Sequence, residues 1–348
     1  MYKHFIRPLL FLFNAEKAHD LTLGLLAFFS KIPGFRTLVR LIYAHNSPGM
    51  AREVFGIRFP NPIGLAGGLD KNGEHYNQLS DFGFGFIEIG SLTPKPQEGN
   101  PGPRLFRDIP DKAIINHMGI NNKGVKNAIA HLKAEHPEVI VAANIASNAS
   151  TGRNDIPNDF LYCFSMLYDF VDMFVINISC PNVNGITDLQ DVAYLSDFMD
   201  KLLDNRMAMD NYKPVLVKIS PDLPREQLDD LLDYCLRSGV DGVVAGNTTK
   251  SRDKLTLSSA QIEKIGPGGL SGAPLFRKNL ALVSYVHEKT KGRLPIIGVG
   301  GIMSPEDAES MIEAGADLVE IYTGFIYEGP DLVKKIKQSL DTQKDIKQ

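Results

Sequence analysis

Eight short runs of apolar and β-branched residues, each followed by a polar stretch of helical character, constrain this chain more than any other feature. They are "PIGLA" (62–66), "FGFIEIG" (84–90), "VIVAANI" (139–145), "DMFVINIS" (172–179), "PVLVKIS" (214–220), "DGVVAGN" (241–247), "PIIGVGG" (295–301) and "ADLVEIYTG" (316–324). Continuous apolar runs are the mark of parallel strands buried on both faces, and alternation with helices calls for an α/β architecture. Eight such units over about 280 residues match a (β/α)8 barrel, which takes about 250 residues plus insertions. An open doubly wound sheet is the alternative, but no GxGxxG follows the first run and "GVGG" lacks that spacing. The 348 residues therefore read as a barrel over 46–340, preceded by an extension at 1–45 and followed by a polar tail at 341–348.

The extension has its own character. It carries six Lys/Arg against two acids, a net of +4, which leaves −8 for the remainder of a chain whose total is −4. "PLLFLF" and "LGLLAFF" lie within it, yet neither approaches the ~18 residues a bilayer span needs. "LLFLF" is too short for a secretory core and no small-residue cleavage site follows. Short amphipathic helices are predicted instead, with Asn14 capping one that runs through "AEKAHDLTLGLLAFFS" and places Ala18, Leu21, Leu25, Phe28 and Phe29 on one face. A basic, aromatic-rich helix pair suits a membrane surface, and packing against the barrel is the plainer alternative. The chain as a whole has no basic stripe of the kind nucleic acid requires. Its three cysteines, Cys163, Cys180 and Cys235, form an odd set without CxxC or Cys/His spacing, which implies neither a disulfide framework nor a metal site and fits a reducing compartment.

A barrel gathers its chemistry at the carboxyl ends of its strands. "GVGG" and "YTG" end the seventh and eighth runs, where backbone N–H groups of glycine can approach a phosphate and a following helix adds its dipole; a tight turn is the alternative. "GPGGLSGAP" (266–274) reads as a further glycine-rich loop able to close over the same ligand. Lys71 and Lys218 stand at strand ends, suited to an anionic substrate or a reduced cofactor ring, unless they pair with Asp70 or another barrel acid. Asn116, Asn144, Asn177, Asn182 and Asn247 offer amide donors and acceptors that suit a planar heterocycle, although any one of them could be a turn or cap residue.

Nine ordered segments, "AGGLDKNG", "GSLTPKPQEGNPGPRLFR", "INHMGINN", "NISCPNVNG", "VKISPDL", "NTT", "GGLSGAP", "IGVGGI" and "YTG", resemble dihydroorotate dehydrogenase over nearly the whole chain. The resemblance implies an FMN-dependent (β/α)8 enzyme that oxidises dihydroorotate to orotate in pyrimidine synthesis. "NAEKAHDLTLGLL" resembles the helical extension of the membrane-associated, quinone-using class. FMN would then meet Gly67, Gly68, Leu69, Asp70, Lys71, Ser91, Asn144, Asn177, Lys218, Gly246, Gly272, Gly301, Tyr322 and Thr323. Dihydroorotate or orotate would meet Lys71, Asn116, His117, Met118, Gly119, Ile120, Asn177, Asn182, Asn247 and Thr248. The quinone would approach near His19, Arg107 and Tyr322. The partners implied are the substrate, a membrane quinone and a membrane surface, with no obligate protein partner, on the cytoplasmic side of a bacterial inner membrane.

The resemblance also assigns Cys180 as the base that takes the C5 proton, at a position where the membrane class typically has serine and the soluble class cysteine. A thiol, with an ordinary pKa of about 8.5, deprotonates far more readily than a serine hydroxyl. Cys163 and Cys235, on helix-like stretches, read as inert buried thiols. His117 stands where the family usually has arginine, and Ile120 where phenylalanine is common. The soluble class, using fumarate or NAD, is the nearest alternative, and a phosphate-binding barrel isomerase or lyase without flavin is the alternative of another kind.

Overall fold

All eight apolar runs become strands of one closed parallel barrel in the computed structural model, which describes residues 2–178, 192–253 and 255–347. The first strands along the chain are β1 (Arg52–Val54), β2 (Ile57–Phe59), β3 (Ile63–Leu65), β4 (Phe86–Leu92), β5 (Leu105–Asp108) and β6 (Ala113–Asn116). They are followed by β7 (Ile140–Ile145), β8 (Met173–Asn177), β9 (Val215–Ile219), β10 (Gly242–Ala245), β11 (Gly269–Gly272), β12 (Ile296–Val299) and β13 (Leu318–Ile321). The barrel runs β3-β4-β7-β8-β9-β10-β12-β13 and closes through the parallel pairing of β13 with β3.

Alternate side chains explain how such apolar strands divide their two faces. Phe86, Ala142, Val175, Leu216, Val244, Ile297 and Leu318 fill the barrel interior. Their neighbours Ile87, Val141, Val217, Val243 and Val319 pack outward against the helices. The β1–β2 hairpin plugs one end of the interior. Phe59 meets Phe86 edge to face at 5.3 Å, and Phe55 lies so near Gly242 that a Cβ there would come within 2.6 Å of its ring.

Two segments differ from the sequence expectation. "GPGGLSGAP" is not an open loop: Gly269–Gly272 forms β11, paired antiparallel with β6, which itself pairs with β5 in a three-stranded sheet. Glycine-rich composition hides a strand of this kind. Here Gly272 is required by close backbone approach, since a Cβ would sit 2.3 Å from the Lys112 carbonyl oxygen. The supposed tail at 341–348 is helical through Lys347, as the last turns of the helix Asp331–Lys347, whose sequence contains neither glycine nor proline to end it.

In the extension, a helical turn at Tyr2–Ile6 leads into α1 (Arg7–Phe11), α2 (Ala15–Ser30) and α3 (Phe35–Tyr43). Asn14 caps α2, its side chain accepting the Lys17 N–H at 2.7 Å. Most of the positive charge of the segment is directed at the barrel. Lys3 pairs with Glu328, Arg7 Nη1 donates to the Tyr327 carbonyl at 2.9 Å, and Arg36 and Arg40 converge on Asp81 at 2.7 and 2.5 Å and on Glu138. Ala18 is buried, but Leu21, Leu25, Phe28 and Phe29, which share its face, are exposed. Thirteen of the seventeen exposed large hydrophobic residues among those described belong to residues 1–45, so what the extension turns outward is chiefly apolar. No helix among the described residues is long and apolar enough to cross a membrane.

Candidate active site

One step along each strand beyond the apolar interior, the inward positions become polar. On β4 Phe86 gives way to Glu88, on β7 Ala142 to Asn144, on β9 Leu216 to Lys218 and on β13 Leu318 to Glu320. Glu88 is central: its Oε1 accepts from Asn144 Nδ2 at 2.6 Å and from Lys218 Nζ at 2.7 Å, while Glu320 Oε2 lies 3.9 Å from the same ammonium. Burial works against the Lys218 charge, but Glu88 and Glu320 outweigh it and raise its pKa above the ordinary lysine value. At the end of β8, Asn177 Nδ2 donates to Ser91 Oγ at 2.9 Å and its Oδ1 accepts from Asn247 Nδ2 at 3.5 Å. The alternative reading of Lys218 as the partner of a barrel acid therefore holds together with its place at the cleft, because it does both.

Above this layer opens a cleft of about 1200 Å³, its mouth included, at the carboxyl ends of the strands. Gly67, Gly68, Lys71, Ser91, Asn144, Asn177, Lys218, Gly246, Gly272, Gly301, Tyr322 and Thr323 all line it. Two residues of the predicted cofactor set do not. Leu69 belongs to the core, and Asp70 is buried beneath the loop, its carboxylate accepting the backbone N–H groups of Glu74 and His75 at 2.9 and 2.8 Å. Asp70 shapes the turn that presents Lys71. Of the predicted substrate set, Asn116, Met118, Ile120, Asn247 and Thr248 line the same cleft, together with Lys71 and Asn177. His117 turns away, its Nε2 3.1 Å from the Pro103 carbonyl and its ring against Phe106. Gly119 serves the backbone, with φ of 74° beside Ile120 at 55°, and Gln97 Nε2 holds both carbonyls at 3.1 and 3.0 Å. Cys180 and Asn182 lie outside the described residues.

The cleft fits a phosphorylated, planar heterocycle. Gly272, Gly301 and Thr323 converge near the start of the helix Phe276–Thr290, where N–H groups and the helix dipole favour an anion. A Cβ on Gly301 would stand 2.4 Å from Phe276 N, so at position 301 only backbone can line that corner. At the opposite end, Asn144 Oδ1 is buried without a donor among the described residues, an acceptor suited to a ring N–H. Tyr322 closes the wall, its hydroxyl 3.4 Å from the Gly68 carbonyl, with burial pushing its pKa up to about 12.

Lys71 also lines a second cavity, shared with Glu16, His19 and Asp20 of α2, His75 and Arg104. Burial lowers the Lys71 pKa to about 8, against the opposing charges of Asp20 and Glu16. Burial, then Lys71 and His75, lower that of His19 to about 3, which keeps its imidazole neutral. Arg107 lies elsewhere, its guanidinium 4.4 Å over the Phe11 ring and donating to the carbonyls of Leu10 and Phe13. Of the three residues predicted for quinone access, only Tyr322 reaches the main cleft. Cys163 and Cys235 are buried free thiols, both with pKa raised by burial.

Sequence reasoning missed Glu88 and Glu320. The signal was present as one acid inside each otherwise apolar run, "FIEIG" and "LVEIY", since a charged residue facing a barrel interior needs a partner there.

Comparison with known proteins agrees with this geometry. A family model described as dihydroorotate dehydrogenase matches residues 50–343. A dihydroorotate dehydrogenase (quinone) of Christiangramia forsetii is 44% identical over 340 residues, covering 98% of this chain and 98% of the relative. That of Coxiella burnetii is 43% identical over 347 residues, covering 98% and 97%. Among solved structures, DHODH from Eimeria tenella in complex with ferulenol aligns with a TM-score of 0.86 at 32% identity, covering 96% of this chain and 93% of that one.

Proposed function

The chain belongs to the dihydroorotate dehydrogenase family, and on that premise we propose that residues 46–340 hold FMN in the barrel mouth while residues 1–45 seat the protein on a membrane. It oxidises dihydroorotate to orotate in pyrimidine biosynthesis, with a quinone as electron acceptor. The observation that carries the finer reading is the cleft itself, where a backbone-lined anion corner, a lysine-centred polar layer and a cluster of amides meet. When bound, the flavin supplies the ring that accepts the hydride from C6 of the substrate.

The protein residues divide the remaining work. Gly272, Gly301 and Thr323 hold the phosphate, and Lys218 with Asn144 faces the ring. Asn116, Asn177, Asn182 and Asn247 orient the pyrimidine through its alternating donors and acceptors. Lys71 neutralises the substrate carboxylate, and Cys180 takes the proton from C5 as general base. Because the Lys71 pKa is lowered to about 8, the ammonium is lost as pH rises through that value. KM for dihydroorotate is therefore expected to climb above about pH 8, by up to tenfold per pH unit where the charged form alone binds. Steady-state kinetics from pH 6.5 to 9.5, a range set about that midpoint, check this. A flat KM sinks the role of the Lys71 charge.

The outward face of the extension supports the membrane reading. Phe28 is 63% and Leu41 77% exposed, on helices whose Arg36 and Arg40 are already bound to the barrel. Apolar insertion, rather than attraction of free positive charge, is thus the main attachment, at the inner membrane's cytoplasmic surface. The test is flotation with phospholipid vesicles alongside turnover with a quinone analogue, fumarate and NAD. The wild type is expected to float and to turn over with quinone. Phe28→Glu/Leu41→Glu is expected to lose flotation and about tenfold or more in quinone kcat/KM, since each buried side chain contributes about 1.5–3 kcal/mol. Flavin reduction by dihydroorotate should be unaffected in that variant. Equal flotation of both proteins overturns the membrane role.

A further inference from the structure

We propose that Glu88 and Glu320 share one proton inside the barrel, so that the polar layer beneath the flavin site carries no net charge. The inference builds on the reading that the cleft holds a flavin, and concerns two residues that reading leaves without a role.

The layer holds two carboxyl groups, both at 0% exposure, and one lysine. Lys218 and Asn144 both donate to a single oxygen, Glu88 Oε1. The other three, Glu88 Oε2 and Glu320 Oε1 and Oε2, are buried and meet no donor among the described residues. With both groups ionised the layer would carry a net negative charge and three carboxylate oxygens out of water with nothing to satisfy them, an arrangement folded proteins avoid. One proton removes the first fault and relieves the second, since it pairs two of the three oxygens. It neutralises the excess acid and becomes the missing donor, an O–H on one carboxyl directed at an oxygen of the other.

Geometry decides which residue holds it more. Glu88 already accepts two hydrogen bonds that favour its ionised form, one of them from the ammonium at 2.7 Å. Glu320 stands 3.9 Å from that ammonium and accepts none. Packing leaves little room beside Glu88, whose Oε1 would lie 2.3 Å from a Cβ on Gly67. The electrostatics agree in direction: burial first, then the Glu88 charge, raises the Glu320 pKa well above the carboxyl range, with Lys218 opposing. Among the described residues, the charged and titratable groups facing the pair are Lys218 from β9 and, at the cleft wall, Tyr322, which burial keeps neutral.

The consequence falls on the reaction. A ring that accepts a hydride gains electron density, and a net negative layer beneath it would oppose that gain. With Glu320 neutral, Lys218 and Glu88 form a balanced pair and the ammonium is free to favour the reduced ring. Glu320 is in this sense a positioning residue: it acts through Lys218 and Glu88.

Infrared difference spectroscopy of the yellow holoenzyme, with and without isotope-labelled glutamate, reads the proton directly. At neutral pH a protonated-carboxyl band that shifts with the label is expected in the wild type and absent in Glu320→Gln. In Glu88→Gln it should also vanish, because Glu320 then ionises as the remaining partner of Lys218. The flavin midpoint potential of Glu320→Gln at neutral pH should match the wild type, since one neutral group replaces another. A wild type lacking the band, a band that persists in Glu88→Gln, or a raised potential in Glu320→Gln, as loss of a negative charge would produce, each overturns the shared proton. A protein that purifies without flavin absorbance would instead remove the cofactor reading, and the band would still test the proton.

Discussion

Cys180→Ala is expected to slow flavin reduction by dihydroorotate about 10²–10⁴-fold at neutral pH, the usual contribution of a positioned general base, in a protein that remains yellow. The expectation rests on the division of labour at the cleft. In the proposed reading the cofactor would be held by Lys218, Asn144 and the glycine corner, whereas loss of the C5 proton would need a basic atom on the substrate, the role proposed for the thiol. Rapid-mixing absorbance of the anaerobic enzyme separates the two, because flavin content and flavin reduction are read from the same trace. Cys180→Ser is the sharper comparison. A hydroxyl is much less acidic than a thiol of pKa about 8.5, so activity should survive weakly with its pH optimum moved upward. Near wild-type reduction by the alanine variant would show that another group takes the proton, and an unmoved optimum in the serine variant would count against direct transfer to this side chain.

How far the sequence reveals such a site depends on the kind of interaction. The barrel strands were legible because burial on both faces leaves an unbroken apolar run: β3, β7 to β10, β12 and β13 lie within the runs read from the sequence pattern, and β4 overlaps its run and extends two residues past it to Leu92. The Asn14 cap was legible because a cap is a local contact, three residues from its partner. The sheet of β5, β6 and β11 was not, since its register joins Gly269 to Asn116 across about 150 residues of chain and rests on backbone hydrogen bonds that favour no side chain. The same holds within the site. Residue type marked Lys71, Lys218 and the asparagines as candidates, but whether a residue faces the cleft depends on turns that only the fold supplies. Asp70 instead fixes the turn that follows Lys71 by accepting the Glu74 and His75 N–H groups, and Gly119 is itself held, with Ile120, by Gln97.

The extension illustrates a further limit. Its six cations read from sequence as part of a basic, aromatic-rich helix pair suited to a membrane surface, yet the fold directs Lys3, Arg7, Arg36 and Arg40 at Glu328, the Tyr327 carbonyl, Asp81 and Glu138. Net charge along a segment says nothing of where each charge points. The apolar residues, which find no cover on the barrel, are the better guide to what the extension meets.

Gly301→Ala is the second change expected to have a large effect, and it tests the phosphate corner. Gly301 adopts φ of 78°, and a Cβ there would lie 2.4 Å from Phe276 N and 2.5 Å from its Cα. The left-handed conformation costs a residue with a side chain about 1–3 kcal/mol. Displacing a packed backbone costs about 1–3 kcal/mol more. The second cost matters for function, because Phe276 begins the helix whose N–H groups face the corner, and any shift that relieves the clash moves those donors. The variant should purify largely colourless, with a lowered Tm that added FMN no longer raises, whereas the wild-type apoprotein gains stability from FMN by mass action. Gly266→Ala supplies the control: Gly266 has the same φ of 78° but nothing within 4 Å of the added Cβ. It should show the strain alone, a modest fall in Tm with flavin retained. If Gly301→Ala keeps its flavin as firmly as Gly266→Ala does, the backbone at Gly301 is not what holds the phosphate.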